Sequence, residues 1–196
     1  MPNLLIRKAV PDDLPGIVEI YNAAIPGRLA TADLEPVSLE SRRAWFQEHE
    51  AATRPLWVAQ TAAGLAGWLS LTSFYGRPAY RHTVEVSVYV APTAQRLGLA
   101  AALLEHAAGE APKLDIHTLV AYIFGHNLPS IRLFERFGFD RWGSLPRTAV
   151  LDGLERDLVI YGRRLAKASS PSPEVALPAN RNQPLRLDGG PAKVDP

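Results

Sequence analysis

The amino-acid sequence predicts a mixed α/β domain in which short strands alternate with amphipathic helices. Segments with apolar residues at every second position, as in strands, occur between segments whose apolar residues follow a helical spacing. Of the 196 residues, 47% are hydrophobic, so the chain can bury one substantial core. These patterns continue to about Ala166, and we expect residues 1–166 to form the domain.

The composition argues against several classes of function. With 21 basic and 20 acidic residues the formal net charge is +1, so neither a nucleic-acid-binding nor a membrane-binding surface is indicated. The first ten residues lack the long apolar region of a signal peptide, and we expect a cytoplasmic protein. The absence of cysteine excludes disulfides, a thiolate nucleophile and thiolate metal ligands.

The first half of the domain is predicted to contain two helices and three strands. Asp12 and Asp13 suit the first turn of a helix, because the amino end of a helix carries a partial positive charge. Ser38 is a suitable N-cap for the second helix. The predicted ranges are a strand at 4–9, a helix from 11, a loop at 25–37 able to cover a site, a helix at 38–50, and a hairpin of strands at 56–61 and 65–74.

The most informative stretch is Thr83–Ala101, which joins a strand to a helix. Its alternating valines fall on one face of the strand, while Glu85, Ser87 and Tyr89 fall on the other. Pro92 ends the strand because it cannot donate to a ladder, and a glycine-containing loop then leads into an apolar helix.

The amino end of that helix is suited to bind an anion. The first N–H groups of a helix have no intrahelical partner and carry roughly half a positive charge, which favours a group such as a pyrophosphate. Gly98 lets phosphates approach the backbone, and Arg96 can neutralise them. The patterns GxGxxG and GxxxxGK[ST] are absent, so neither a dinucleotide site nor ATP hydrolysis is indicated.

The second half is predicted to contain a fifth strand, a helix and a closing antiparallel pair. Asn127 begins the helix, which places Ile131, Phe134 and Phe137 on one face, and Gly138 ends it in a left-handed conformation. The strands are expected at 117–124, 139–150 and 155–164. Residues 167–196 have no aromatic residue and are rich in Pro, Ser, Asn and Gly, so we expect a disordered tail; docking against a second subunit is the alternative.

Two separated motifs resemble those of the GNAT superfamily of N-acetyltransferases. The stretch QRLGLA at 95–100 is similar to the Q/R-x-x-G-x-G/A loop that holds the pyrophosphate of acetyl-CoA in that family. The segment NLPSIRLFERFGF at 127–139 resembles the family pattern N-x-x-A/S-x-x-x-Y/H-E-x-x-G-F. Shorter pieces resemble, more narrowly, the phosphinothricin and methionine sulfoximine acetyltransferases: IYN at 20–22, EPV at 35–37, RRAWF at 42–46, YRHTVE at 80–85, SVYV at 87–90 and DLV at 157–159.

The resemblance implies a largely antiparallel sheet that is splayed between its fourth and fifth strands and flanked by helices. It also implies acetyl-CoA as co-substrate and a homodimer. No metal is expected, because the five histidines show no metal-ligand spacing. The residues implied for acetyl-CoA binding are Val88, Tyr89, Val90, Gln95, Arg96, Leu97, Gly98, Leu99, Ala100, Ala101, Asn127 and Ser130.

Glu85 is the candidate general base. An ammonium substrate must lose a proton before it attacks a thioester, and desolvation can raise the pKa of a half-buried carboxyl group toward neutrality. Glu85 is the lone acid in a valine-rich strand, and the resemblance places the base at this position. The alternative is a solvated glutamate on an edge strand.

The resemblance assigns the substrate carboxylate to Arg77. Trp45, Thr31 and Tyr80 are candidates for the pocket wall, and the alternative for the two aromatic residues is a place in the core. A guanidinium at position 77 can bind a carboxylate through two hydrogen bonds. Tyr75 stands where the subfamily often has a second arginine, and Phe134 stands where it often has His and other family members have Tyr. We interpret Phe134 as a core residue. Its lack of a proton donor leaves the reaction class unchanged, since a thiol with a pKa of about 8.5 can leave as the thiolate without being protonated.

The predicted function is therefore acetyl transfer from acetyl-CoA to the primary amine of a small amino acid or analogue. Two alternatives stay open: acetylation of a protein N-terminus or lysine, which favours an open acidic groove, and a coenzyme A-binding module without catalysis.

Overall fold

The computed structural model describes residues 4–49 and 53–166. In this part of the chain no helix has the length and apolar character needed to cross a membrane. The predicted disordered tail at 167–196 lies outside the described residues. The described residues form helices α1 (Leu14–Ala24), α2 (Leu39–Glu48), α3 (Leu99–Glu110) and α4 (Leu128–Arg136), and strands β1 (Leu5–Lys8), β2 (Leu56–Thr61), β3 (Gly64–Ser73), β4 (Thr83–Val90), β5 (Thr118–Phe124), β6 (Asp140–Leu151) and β7 (Leu154–Arg164).

The seven strands of the described chain form one sheet in the order β1-β2-β3-β4-β5-β7-β6. Every neighbouring pair is antiparallel except β4 and β5, which are parallel. Their pairing covers three positions, from Thr83 opposite Thr118 to Glu85 opposite Val120. Both strands continue beyond this point, β4 to Val90 and β5 to Phe124. The predicted mixed fold and the splay between the fourth and fifth strands are thus confirmed.

The core lies on both faces of this sheet. On one face, Val84 and Val86 pack in a buried cluster with Leu103 and Leu104 of α3, as the alternation along β4 predicts. On the other face, a smaller cluster joins α1 and α2 to β2 and β3, and includes Ile17, Phe46, Val58 and Trp68. Since Glu85 alternates with Val84 and Val86, its side chain lies on the α1 and α2 side.

One helix begins later than its sequence pattern predicts. Residues Pro11–Asp13 form a 3₁₀ turn, and α1 starts after it at Leu14. The glycine-containing loop predicted before α3 is present: Gln95 has an extended backbone, Arg96 and Gly98 have positive φ angles of 62° and 76°, and α3 starts at Leu99.

The helix ends predicted from capping residues are confirmed. The Ser38 hydroxyl accepts a hydrogen bond from the Ser41 N–H (3.1 Å) at the start of α2. The Asn127 side-chain oxygen accepts one from the Ser130 N–H (3.2 Å) at the start of α4. Gly138 follows α4 with φ of 73°, in the left-handed conformation that favours glycine.

We predict that Gly67→Ala weakens the sheet beside the splay. Gly67 pairs with Val90, and an added methyl carbon would lie 2.8 Å from the backbone oxygen of Tyr89. Because that oxygen belongs to the ladder, the strands must separate, and we expect the free energy of unfolding to fall by about 1–3 kcal/mol. Urea denaturation followed by circular dichroism measures this change.

The matched control for this variant is Gly109→Ala on α3. Apart from the neighbouring residues and backbone of α3 itself, no described atom lies within 4 Å of the carbon that this substitution adds. Alanine is favoured over glycine inside a helix by about 1 kcal/mol, so we expect an unchanged or higher stability. A Gly67→Ala protein as stable as the control would contradict the close-contact argument.

Candidate active site

A cavity of about 650 Å³ occupies the gap between β4 and β5. Its walls come from both strands, from the amino-terminal parts of α3 and α4, and from the loop that follows α1. Of the residues predicted to bind acetyl-CoA, those that line it are Val88, Tyr89, Val90, Gln95, Ala100, Asn127 and Ser130.

Backbone groups of β4 face into this gap. Just after β4, the Ala91 N–H donates to the Ala66 carbonyl (2.9 Å). The odd-numbered residues near the carboxyl end of β4 therefore direct their backbone N–H and C=O groups toward β3. Alternate residues of an antiparallel ladder direct their N–H and C=O groups to opposite sides. The N–H groups of Val88 and Val90 therefore point toward β5, in the region beyond the last β4–β5 pair. They are available to a carbonyl oxygen placed in the cavity.

The amino end of α3 offers a second set of donors. The first intrahelical bond is from the Ala102 N–H to the Gly98 carbonyl (3.0 Å), so the N–H groups of Leu99, Ala100 and Ala101 precede the helical ladder. Leu99 is 2% exposed and packs in a buried cluster with Ala66 and Ala94, whereas Leu97 is 52% exposed. The Arg96 side chain is exposed as well. This geometry suits an anion.

Asn127 lines the cavity but uses its side chain for structure. Its side-chain oxygen caps α4, and its side-chain nitrogen donates to the Leu29 carbonyl (2.9 Å). Phe134 also borders the cavity, is 3% exposed, and contacts Phe139 with ring centroids 4.9 Å apart. This placement agrees with its interpretation as a core residue.

A second, smaller cavity of about 300 Å³ lies on the α1 and α2 face of the sheet. It shares Glu85, Ser87 and Tyr89 with the larger cavity, so these three residues stand where the two cavities meet. Its remaining lining is mainly aromatic and aliphatic, with one guanidinium among the described residues: Ile17, Val18, Tyr21, Arg42, Trp45, Trp68, Ser70 and Thr72.

Glu85 is partly buried at this junction. Its backbone lies between Thr72 of β3 and Val120 of β5, so ladder pairing on both sides holds it in place. Burial raises the pKa of the Glu85 carboxyl group, and a hydrogen bond with Ser87 acts in the opposite direction. The direction of this shift is the one that a general base near neutral pH requires.

The loop at 25–37 lines the larger cavity and is held at several points. The Tyr89 hydroxyl donates to the Ala30 carbonyl (2.8 Å), and the His126 Nε2 lies 2.8 Å from the Arg28 carbonyl. Arg28 also donates to the Asp152 carboxylate (2.9 Å) in the turn between β6 and β7. The predicted loop therefore lies across the site in this structure.

One chain of polar contacts links the walls of the two cavities. Thr31, which borders the larger cavity and is 7% exposed, is hydrogen-bonded to the Tyr21 hydroxyl in the smaller one. Tyr21 also donates to Asp33 (2.6 Å), and Arg42 donates to the same carboxylate (3.1 Å) while lying 4.5 Å from the centroid of the Tyr21 ring. Arg42 is thus oriented by two partners.

Two of the residues predicted to contact substrate lie elsewhere. Arg77 is exposed in the segment before β4, and Tyr80 is 43% exposed with its ring 5.4 Å from that of Phe74. Neither lines the two cavities described above. Their role stays a prediction.

Sequence reasoning missed Arg42 and Tyr122 as wall residues. Arg42 belongs to the RRAWF segment that resembles the acetyltransferase subfamily, but the resemblance assigned no role to this arginine. Tyr122 lies on β5 and borders the larger cavity together with Glu85. Burial raises the pKa of Tyr122, with smaller contributions from Tyr75 and from the charge of Glu85. Because side chains alternate along a strand, Tyr122 lies on the same face of β5 as Val120, and this alternation could have indicated its position.

The chain is similar to known acetyltransferases over most of its described length. A sequence model of the Acetyltransferase (GNAT) family matches residues 15–139. The protein YwnH of Bacillus subtilis is 46% identical over 164 residues, which are 83% of this chain and 100% of that protein. An L-methionine sulfoximine/L-methionine sulfone acetyltransferase of Pseudomonas aeruginosa is 37% identical over 154 residues, 78% of this chain and 90% of that protein.

A solved structure has the same fold. It is that of a GNAT superfamily phosphinothricin acetyltransferase from Sinorhizobium meliloti in complex with acetyl-CoA. The two sequences are 30% identical, the TM-score is 0.80, and the match covers 89% of this chain and 96% of the other.

Proposed function

Because the chain belongs to the acetyltransferase (GNAT) family, and is an N-acetyltransferase, we propose that it moves the acetyl group of acetyl-CoA to the primary amine of a small amino acid or amino-acid analogue. The observation that carries this proposal is the position of Glu85 at the junction of two cavities. One cavity has the donors for a coenzyme, and the other has the size and lining for a small amine. The names of the relatives support the phosphinothricin and methionine sulfoximine class of acceptor.

The larger cavity is the proposed site of acetyl-CoA. The coenzyme supplies an activated acetyl thioester, and the Val88 and Val90 N–H groups are placed to hold its carbonyl oxygen and amide arm. The amino end of α3, with Arg96 beside it, would bind the pyrophosphate. The cavity of about 650 Å³ lies within the usual range for such sites, about 300–1,000 Å³.

The smaller cavity is the proposed acceptor site. An amino acid carries an amine and a carboxylate close together, and the described residues of this cavity present one carboxylate, Glu85, and one guanidinium, Arg42. The amine would face Glu85 and the carboxylate Arg42, with the acceptor side chain against Tyr21, Trp45 and Trp68. A cavity of about 300 Å³ fits a small molecule better than a peptide segment.

The proposed chemistry is direct transfer. The Glu85 carboxylate, directly or through one water, takes a proton from the ammonium group, and the freed amine attacks the thioester carbonyl carbon. The new C–N bond forms and negative charge moves onto the carbonyl oxygen beside the backbone N–H groups of β4. The attacking nitrogen then loses its second proton to solvent, and the C–S bond breaks to give the amide and the thiolate. Proximity of the two bound reactants lowers the barrier further.

A protein N-terminus or lysine as acceptor, and a coenzyme A-binding module without catalysis, are the competing functions. Thiol release from acetyl-CoA distinguishes them when it is measured with methionine sulfoximine, methionine sulfone, phosphinothricin, common amino acids, polyamines and short peptides. Saturable release with an amino-acid-like compound supports the proposal. Release with peptides alone would favour the first alternative, and tight coenzyme binding without release the second.

We predict that Glu85→Gln lowers kcat by about 10²- to 10⁴-fold, the usual effect of losing one general base, with the Kd for acetyl-CoA nearly unchanged. Steady-state thiol release and calorimetric titration measure the two quantities. Glu105→Gln, an exposed glutamate on α3, is the matched control and should keep full activity. Turnover near the wild-type value in Glu85→Gln would remove this residue from the role.

The pH dependence should respond to Ser87. Its hydrogen bond lowers the pKa of Glu85 and so favours the carboxylate, the form active as a base. Ser87→Ala should therefore raise that pKa and move the acidic limb of the kcat/KM profile to higher pH, with the loss of activity greatest below the inflection. Profiles of kcat/KM against pH for the two proteins test this, and a limb that moves to lower pH would contradict it.

We further expect Arg42, more than Arg77, to set the affinity for an acceptor carboxylate. Arg42→Gln should raise the acceptor KM at least tenfold, because a charge-assisted hydrogen bond contributes about 1.5–3 kcal/mol. The test compares an amino-acid acceptor with its amide, which lacks the carboxylate. If Arg77→Gln produces the larger, carboxylate-dependent change, the sequence prediction for Arg77 is right and our assignment of Arg42 is wrong.

We also propose that the protein is a homodimer that associates through its β6–β7 edge. This hairpin exposes apolar side chains that a monomer would leave in water: Trp142, Leu145, Val150 and Leu154. Light scattering after size-exclusion chromatography should give twice the chain mass, falling to one chain in Leu145→Lys. Leu5→Lys, at the opposite sheet edge and 55% exposed, is the control. A monomeric wild-type protein, or equal dissociation in both variants, would refute the proposal.

A further inference from the structure

Two imidazoles and a carboxylate converge at the closed end of the splay. His82 immediately precedes β4 and His117 immediately precedes β5, so the parallel register of Thr83 with Thr118 places the two rings side by side. Their centroids are 4.5 Å apart and their planes differ by 13°. None of the sequence spacings suggested this arrangement, because it follows from the strand register.

Asp115 joins the two rings. One carboxylate oxygen lies 3.1 Å from His82 Nδ1 and the other lies 3.1 Å from His117 Nε2. The backbone oxygen of Asp115 is 2.7 Å from the same nitrogen of His82. One ligand atom from each of the three side chains lies within 4.8 Å of the others.

The backbone holds these groups in place before any ligand arrives. The His82 carbonyl accepts hydrogen bonds from the N–H groups of His117 (2.8 Å) and Thr118 (3.1 Å). Asp115 has a left-handed backbone, with φ of 59°, and its N–H donates to the Pro112 carbonyl (3.2 Å). A preorganised group loses little conformational freedom on binding.

We propose that His82, Asp115 and His117 bind a divalent transition-metal ion of the class that prefers imidazole and carboxylate ligands, with Zn²⁺ as the representative. Two nitrogens and one carboxylate are a ligand set that such ions use, with water completing the coordination shell. In the metal-free protein His82 Nδ1 donates to the Asp115 carbonyl oxygen, so metal binding would move the proton of that neutral ring to Nε2 and free the Nδ1 lone pair for the ion. His117 would bind through Nε2, with the proton of its neutral ring on Nδ1. About a quarter of each histidine side chain is exposed, which leaves room for water and for entry of the ion.

A bound ion would connect the beginnings of β4 and β5, where they are still paired. Glu85 follows His82 by three residues along the chain, yet none of the three proposed ligands lines either cavity. The ion is therefore expected to stabilise the fold and not to take part in the transfer. A ligand that binds only the folded state raises the free energy of unfolding.

The test uses the full chain without an affinity tag, after removal of metal by a chelator. Titration with Co²⁺ is followed by its visible absorption, and Zn²⁺ is then added as competitor. We expect saturation at one equivalent, displacement by Zn²⁺, and a higher Tm with either ion. His117→Ala and Asp115→Asn should each weaken binding at least tenfold, the scale on which loss of even a supporting contact weakens a metal site.

His106→Ala is the matched control, because this histidine lies on α3 against Trp57, away from the cluster. It should bind Co²⁺ as the wild type does. Binding that fails to saturate at millimolar Co²⁺, that survives both ligand variants, or that is lost in the control would overturn the proposal. Asp115→Asn is the same size and partly exposed, so it tests the site even if His117→Ala does not fold.

Discussion

The architecture of this protein depends on how short the pairing between β4 and β5 is. Three paired positions hold the strands together, and beyond Glu85 and Val120 they diverge. If the ladder continued to Val90, it would consume the Val88 N–H and close the gap. Backbone donors that lie beside apolar walls need a hydrogen-bonding partner, since an unpaired buried N–H is costly. The main-chain geometry thus creates a binding surface for amides and carbonyls before any side chain contributes.

The last paired position also determines the environment of Glu85. A carboxylate in a flexible loop would turn toward water and keep its ordinary pKa, whereas ladder bonds on both sides of β4 keep this one between two cavities. Burial then raises its pKa, and Ser87 moderates the effect. The residue is partly desolvated without being sealed off, which is what a group that exchanges protons with a substrate requires.

Local patterns in the sequence were sufficient for much of the fold. The alternation around Val84 and Val86 predicted which face of β4 is buried, and Asn127 and Gly138 marked the ends of α4. The start of α1 was placed too early, because the helical pattern continues backward over Pro11–Asp13, which form a 3₁₀ turn.

Apart from Tyr122, which strand alternation could have indicated, the missed features depend on contacts between distant residues. Arg42 lies in the smaller cavity because Asp33 and Tyr21 orient it, and His82 meets His117 because two strands pair in one particular register. Neither relation has a signature along the chain. Alternation and capping are short-range effects, while the partners of a side chain on another element are set by packing.

The series of polar contacts from Thr31 through Tyr21 and Asp33 to Arg42 has a thermodynamic consequence for binding at the two cavities. Its first member borders the larger cavity and its last borders the smaller, so a ligand that shifts one end changes the free energy of binding at the other. Linkage makes this effect reciprocal and equal in both directions. If the two reactants bind in the two cavities as proposed, a reactant that displaces one end of this series of contacts would change the affinity for the other reactant.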